Sequence, residues 1–151
     1  MRVLISKALK KVKNQLRKWR KVNHQRLFSD IYSKKIWGDD QKSKFYSGTG
    51  SDEDYGKPYA EVITNFIKQH NIKSVVDLGC GDFRIGKKII QESSVQYTGV
   101  DVVADLIAFN NAEFGNSHVK FRQLNIVREK LPEGQLCLIR QVLQHLSKAV
   151  Y

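Results

Sequence analysis

The sequence has few cysteines, no long apolar run and no acidic residue near its N-terminus. Two cysteines among 151 residues, Cys80 and Cys137, do not make a disulfide framework. We therefore expect reduced thiols and a cytoplasmic protein. No apolar run approaches the roughly 18 residues that a membrane-spanning helix needs. The N-terminus also lacks the apolar stretch that is typical of a signal peptide.

Acidic residues are absent from the first 29 positions, which carry ten lysines and arginines. Residues 30–151 contain 16 basic and 15 acidic residues, so the net charge of +11 belongs almost entirely to the N-terminal segment. Residues 3–22 predict a basic amphipathic helix, because apolar side chains recur there at steps of three and four. These apolar positions are Ile5, Leu9, Val12, Leu16 and Trp19.

Three roles fit this basic helix. Its apolar stripe packs on its own domain, or it lies peripherally on an anionic membrane surface. Alternatively, residues 1–26 contact the phosphates of a nucleic acid. The composition predicts three segments, a basic helical arm over 1–29, a lead-in over 30–58 and an α/β domain over 59–151.

The lead-in is polar and is predicted to be irregular, with a Gly/Ser-rich turn over residues 45–52. Pro58 favours the start of a helix, which we expect to run from Tyr59 to Gln69. A strand is then predicted from Ser74 to Leu78, because an apolar run ends there in a Gly-X-Gly turn. The next helix is predicted from Arg84 to Gln91.

The turn over Gly79-Cys80-Gly81-Asp82 differs from a dinucleotide-binding loop. In the pattern G-x-G-x-x-G a pyrophosphate lies on the helix N-terminus, but here Arg84 replaces the third glycine. Asp77 and Asp82 flank the turn, and two carboxylates repel a pyrophosphate while they attract a cation. These residues therefore favour a positively charged ligand such as S-adenosylmethionine over a nicotinamide dinucleotide.

The rest of the chain continues the alternation of strands and helices. The predicted elements are a strand over Val95–Val100 ending at Asp101, a helix over Ala104–Phe114, a strand over Val119–Leu124 and a strand over Gln135–Ile139. Such alternation is typical of an α/β fold with a Rossmann-like parallel sheet and flanking helices. An acid at the end of the second strand, here Asp101, is suited to the ribose hydroxyls of an adenosyl ligand.

The motif Asp77-Leu78-Gly79-Cys80-Gly81-Asp82 resembles motif I of the class I S-adenosylmethionine-dependent methyltransferases. The motif often has a further glycine, at the position that Phe83 holds here. The resemblance implies S-adenosylmethionine as cofactor, with Asp77 near its ammonium group, Asp101 on its ribose and Asn125 on its adenine. The implied cofactor-binding residues are Asp77, Gly79, Cys80, Gly81, Asp101, Val102, Asn125, Ile126 and Arg140.

In that family a segment before the first helix folds over the cofactor, which suggests a role for Tyr46 and Ser51. The segment after the fourth strand lines the cofactor and substrate pocket, which brings Arg140 and His145 into consideration, with a structural role favoured for His145. The methyl acceptor is open, with a small molecule or sugar favoured and a nucleic acid permitted by the basic arm. The residues identify no catalytic base and no metal site.

The family's complete sheet has seven strands, whereas four are predicted here. We therefore expect a sheet truncated after its fourth strand, and one possibility is that the chain is a partial or inactive enzyme. We also expect self-association through the uncovered sheet. Two other functions stay open. One is a non-catalytic binding module that acts through the basic helix, and the other, disfavoured by the turn, is a nicotinamide-dependent oxidoreductase.

Overall fold

The computed structural model describes residues 23–146, and the predicted basic helix over residues 3–22 lies outside them. Four parallel strands form one sheet in the order β3-β2-β1-β4. The strands are β1 (Ser74–Leu78), β2 (Gln96–Asp101), β3 (Val119–Gln123) and β4 (Leu136–Ile139). The helices are α1 (His24–Ser33), α2 (Glu53–Gln69), α3 (Arg84–Gln91), α4 (Ala104–Phe114) and α5 (Leu143–Leu146), with a 3₁₀ turn at Thr49–Ser51. The predicted Rossmann-like α/β fold is confirmed.

The strand order creates a crevice at the carboxyl end of β1. From β1 the chain moves outward to β2 and β3, and it then returns across β1 to form β4. Asp77 in β1 lies in register with Gly99 of β2 on one side and with Leu138 of β4 on the other. Ligands of open α/β sheets bind at such a reversal of strand order.

The larger hydrophobic core lies between the sheet and helices α2, α3 and α4. Its buried members are Ala60, Ile67, Val75, Phe83, Ile89, Val95, Tyr97, Ile107, Val119, Phe121 and Leu138. Full burial of one large apolar side chain stabilises the fold by about 1.5–3 kcal/mol. A smaller cluster of Val76, Leu78, Val100 and Leu124 is also buried, and Ile126 packs against it. These two clusters fix the strand ends that carry the polar residues.

The predicted start of α2 was wrong, because the helix begins at Glu53 and Pro58 lies inside it. Glu53 and Asp54 lie in the first turn, where acidic side chains interact favourably with the helix dipole. Gly56 is buried in the same turn, where a side chain would press against Ile85 of α3. Packing against α3 therefore allows the helix to begin before Pro58. The ends of β2, β3 and β4 differ from the predicted ones by one residue.

Helix α1 occupies a region where no separate helix was predicted. It runs across the predicted division between residues 29 and 30, and it buries His24 and Ile31. The lead-in is thus partly helical, with the end of α1, the 3₁₀ turn and the start of α2 all inside residues 30–58. The apolar pattern of α1 was weak because a histidine occupies one of its two buried positions.

Strand β4 forms one edge of the sheet within residues 23–146, since it pairs with β1 alone. Ile139 at its end is 44% exposed and Leu143 in α5 is 56% exposed. An exposed apolar strand edge is a template for pairing with another chain, so self-association stays a prediction. Among these same residues, no helix is both long and apolar enough to cross a bilayer.

Candidate functional site

A cavity of about 400 Å³ opens at the carboxyl ends of the strands. All nine residues that the sequence singled out for cofactor binding line this cavity: Asp77, Gly79, Cys80, Gly81, Asp101, Val102, Asn125, Ile126 and Arg140. They come from the ends of β1, β2 and β4 and from the loop after β3. The sheet topology therefore brings together side chains that are up to 63 positions apart in the chain.

The glycine turn after β1 adopts a backbone conformation that residues other than glycine rarely take. Gly79 has φ +80° and Gly81 has φ +55°, and a Cβ on either would meet Val142 or Ser47. The amides of Gly79 and Cys80 both donate to the carbonyl of Val100, at 2.8 and 3.0 Å. The turn is thus bound to β2, and its bare backbone faces the cavity.

Asp77 is a buried carboxylate at the base of the cavity. It is 8% exposed, and one of its oxygens accepts a 2.7 Å hydrogen bond from the Tyr97 hydroxyl. Burial raises the pKa of Asp77 to about 6, the Tyr97 hydrogen bond opposes that shift, and the nearby Asp101 adds to it. A cation bound beside Asp77 would relieve the cost of keeping this group charged.

Asp101 at the end of β2 ties the second loop to the glycine turn. One carboxylate oxygen accepts from the amide of Gly81 at 3.3 Å and the other from the amide of Val103 at 3.1 Å. Burial raises its pKa, although these backbone hydrogen bonds oppose the shift. Each carboxylate oxygen has a second lone pair, so the group can still accept hydrogen bonds from a ligand.

Asn125 and Ile126 follow β3 and line the same cavity. The side-chain oxygen of Asn125 accepts from the backbone amide of Val127 at 3.0 Å, and the backbone amide of Asn125 donates to the Glu129 carboxylate at 2.7 Å. Asn125 therefore shapes a local turn. Its amide oxygen keeps a lone pair for a ligand, and the predicted contact with adenine stays a prediction.

Arg140 follows β4 and binds the lead-in. Its guanidinium donates to the carbonyl of Gly50 at 2.8 Å and lies over the ring of Tyr59, 5.1 Å from the ring centre. These contacts join the end of β4 to the 3₁₀ turn and to α2. Gly50 and Tyr59 also line the cavity, so Arg140 positions two of its lining residues.

Solved structures with a similar backbone identify the fold. No family model and no curated protein matches the sequence. Among solved structures, the plantazolicin methyltransferase BpumL, in complex with a monoazolic desmethylPZN analogue and SAH, superposes with a TM-score of 0.54 at 22% identity, over 81% of this chain and 45% of that one. This chain has the class I methyltransferase fold.

Two further methyltransferases are more distant. A putative caffeoyl-CoA O-methyltransferase from Staphylococcus aureus has a TM-score of 0.39 at 16% identity, over 45% of this chain and 35% of that one. Human N-acetylserotonin methyltransferase in complex with SAM has a TM-score of 0.42 at 14% identity, over 62% and 31%. The chain spans less than half the length of each of these three proteins.

In this methyltransferase fold the lead-in lies over the glycine turn. The amide of Ser47 donates to a carboxylate oxygen of Asp82 at 2.9 Å, and the amide of Asp82 donates to the Ser47 hydroxyl at 2.8 Å. Tyr32 of α1 hydrogen bonds to the same hydroxyl at 2.9 Å. Ser47 was not singled out in the sequence, because its partner is 35 positions away.

The two lead-in residues named from the sequence have different positions. Ser51 is 7% exposed and lines the cavity, where its hydroxyl donates to the carbonyl of Gly48 at 2.7 Å. Tyr46 is not among the residues that line the cavity. Its hydroxyl donates to Asp52 at 2.9 Å, and its ring packs under the guanidinium of Arg84.

Arg84, the first residue of α3, binds three carboxylates of the lead-in and the turn. It pairs with Asp40, with Asp82 at 3.2 Å and with Asp52 at 3.5 Å. Its pairing with Asp40 lowers the pKa of that carboxyl to about 2. Arg84 thus holds the lead-in on α3, which explains why an arginine follows the glycine turn.

We expect Arg84→Met to loosen the lead-in. Because Arg84 is only partly exposed and Asp82 is buried, the change should lower the free energy of unfolding by about 1–3 kcal/mol. It should also speed hydrogen exchange at the Ser47 amide. Lys88→Met is the matched control, since Lys88 pairs with the exposed Glu53, and it should cost at most about 1 kcal/mol. Equal losses in both variants would contradict this role.

The cavity wall that α1 forms was not predicted from the sequence. His24, Phe28 and Tyr32 recur at four-residue steps along one face of α1, and all three line the cavity. Trp37 and His145 line it as well, and their rings lie 5.6 Å apart. The spacing of His24, Phe28 and Tyr32 was a signal in the sequence that pointed to this wall.

Proposed function

We propose that this chain binds S-adenosylmethionine in the cavity and transfers its methyl group to a small-molecule acceptor. The observation that carries the proposal is the position of Asp77 and Asp101, which come from neighbouring strand ends and line one cavity beside a glycine turn. Once bound, S-adenosylmethionine supplies an electrophilic methyl group on a positively charged sulfur. The protein's contribution is then to position the reactants and to complement their charge.

The side chains in the cavity fit this cofactor. Asp77 would pair with the ammonium group, and Asp101 would accept hydrogen bonds from the ribose hydroxyls. Asn125 and the backbone at Ile126 would contact the adenine. The raised pKa values of Asp77 and Asp101 reflect two carboxylates in a buried place, and a cationic ligand offsets that cost.

A nicotinamide dinucleotide fits the same cavity less well. Its pyrophosphate would lie at the glycine turn and the start of α3, where Asp77, Asp82 and Asp101 are buried or half-buried and repel a negative charge. A non-catalytic module that acts through residues 1–26 remains the second candidate. It is supported by the ten basic residues without an acidic one in residues 1–29.

We expect Asp101→Ala to weaken the binding of S-adenosylmethionine at least about 100-fold. A carboxylate makes hydrogen bonds of about 1.5–3 kcal/mol each, and this variant would lose two to the ribose. Isothermal titration calorimetry on wild type and variant measures the change. Asp105→Ala is the matched control, since Asp105 is exposed in the first turn of α4.

Two results would contradict the proposal. One is a well-folded wild-type protein that shows no heat of binding up to millimolar S-adenosylmethionine. The other is an Asp101→Ala variant that binds as tightly as Asp105→Ala. Titration with NADH in parallel tests the oxidoreductase, for which binding of NADH alone would be the expected result.

A further inference from the structure

The wall of the cavity formed by α1 and its neighbours differs chemically from the strand ends. We call the rings of Phe28, Trp37 and His145 the aromatic wall. Phe28 and Trp37 have ring centres 6.0 Å apart, and His145 lies 6.4 Å from Phe28 and 5.6 Å from Trp37. All three line the cavity. Rings in such contacts present faces and edges on which another planar ring packs.

His24 adjoins the aromatic wall and is buried. It lies one turn before Phe28 on α1 and is 2% exposed. Within residues 23–146, neither ring nitrogen makes a hydrogen bond of normal geometry. Burial lowers the pKa of His24 below its usual value, although the Leu146 carbonyl is near enough to oppose the shift. The imidazole is therefore neutral at pH 7, and one ring nitrogen is a hydrogen-bond acceptor.

An unpaired buried polar group needs an explanation. Leaving a buried nitrogen unsatisfied destabilises a fold, so such groups in native proteins are few and often belong to binding sites. His24 lines the same cavity as Asp77 and Asp101. A ligand in the cavity that donates a hydrogen bond would satisfy the nitrogen, and the adjacent rings determine which ligand fits.

We propose that the aromatic wall and His24 bind the methyl acceptor, and that this acceptor is a planar aromatic molecule with a hydroxyl or amino group that donates to His24. The proposal rests on the proposed function, which assigns the strand ends to S-adenosylmethionine. It narrows the acceptor from small molecules in general to ring compounds with a donor group. His24 is a binding residue for that group, and the rings of Phe28 and Trp37 provide the apolar surface.

Two probes with the same ring, one with a donor group and one without, test the proposal in the full chain without S-adenosylmethionine. p-Cresol carries a hydroxyl, whereas 4-methylanisole has a methyl ether in its place. Nuclear magnetic resonance titrations follow the Trp37 indole and the His24 ring. We expect p-cresol to bind about three- to tenfold more tightly than 4-methylanisole, which corresponds to one hydrogen bond to a buried acceptor, and to shift a His24 ring nitrogen.

Variants then separate the two parts of the site. His24→Phe should abolish the preference for p-cresol, and Trp37→Leu should weaken both probes by similar factors of about ten. His70→Phe is the matched control, since His70 is exposed at the end of α2, and it should leave both affinities unchanged. If His24→Phe does not fold, the preference of the wild type and the shift of its His24 nitrogen decide the matter.

The proposal is overturned if the wild type binds both probes equally, binds neither, or keeps its preference in a folded His24→Phe variant. Calorimetry with S-adenosylmethionine on the same sample distinguishes this failure from failure of the proposed function. Cofactor binding without p-cresol binding defeats the acceptor site alone. Selective p-cresol binding through His24, in a sample that does not bind S-adenosylmethionine, supports an aromatic ligand site and defeats the methyltransferase proposal.

Discussion

Asp77→Asn is expected to make the unliganded protein more stable at neutral pH and to remove most of its affinity for S-adenosylmethionine. The pKa of Asp77 is raised from 3.8 to about 6 in the folded state, mainly because the carboxylate is buried. A raised pKa means that folding disfavours the charged form, by roughly 2–3 kcal/mol at pH 7.5. An amide carries no charge and still accepts the Tyr97 hydrogen bond, so the variant avoids this cost.

The raised pKa of Asp77 also determines how the stability of the protein changes with pH. Between the unfolded and folded pKa values, the folded state holds a proton that the unfolded state has lost. Asp77 therefore lowers the stability of the wild type progressively as pH rises from about 4 to about 6. Asp82 and Asp101 also have raised pKa values, but they are present in both proteins, so their effects largely cancel in the comparison.

Urea unfolding at pH 4 and pH 7.5 measures this difference. Asp77→Asn should exceed the wild type in free energy of unfolding at pH 7.5, and the difference should shrink at pH 4. Tyr97→Phe is a control of opposite sign, because loss of its hydroxyl removes a bond that stabilises the charged carboxylate. An Asp77→Asn variant that is less stable than the wild type at pH 7.5 would show that the charged carboxylate stabilises the fold.

Asp77 is also expected to determine how tightly S-adenosylmethionine binds. Loss of the charge beside a cationic group should weaken S-adenosylmethionine about 10- to 100-fold, the size expected for one charge-assisted hydrogen bond. The affinity of the wild type should also fall as pH drops below about 6, since protonated Asp77 cannot pair with the ammonium group. Stability gained together with affinity lost is typical of a residue kept for binding.

The residues at the strand ends were predictable because parallel strands bring their carboxyl ends to one edge. A buried run that stops at Asp77 and a second run that stops at Asp101 fix both acids at adjacent positions without knowledge of the helices. The lead-in was not predictable in this way. Ser47 contacts Asp82 across 35 positions and Arg84 contacts Asp40 across 44, and no local pattern encodes contacts at such separations.

The tip of the glycine turn shows what the sequence reveals only in part. Phe83 stands where the methyltransferase motif often has a glycine, and the structure places it at φ +64°, a conformation that glycine takes readily. The side chain is 1% exposed and contacts the rings of Tyr97, Phe114 and Phe121, at 4.8–5.3 Å between centres. Burial of the ring offsets the strain of the backbone.

Two substitutions at this position separate the ring from the backbone. Phe83→Ala should lower the free energy of unfolding by about 3–5 kcal/mol, because it leaves a cavity among three aromatic rings. Phe83→Gly creates the same cavity but relieves the strain at φ +64°, since glycine adopts a left-handed conformation without a steric cost. The glycine variant should therefore be about 1 kcal/mol more stable than the alanine variant.

Ile89 provides the matched control, since it is completely buried but lies inside α3. There, glycine should be about 1 kcal/mol less stable than alanine, because it lowers helix propensity. The order of the alanine and glycine variants is thus expected to reverse between Phe83 and Ile89, and chemical denaturation of the four proteins measures it. The same order at both positions would mean that the turn, and the backbone it presents to the cavity, does not depend on a left-handed residue at Phe83.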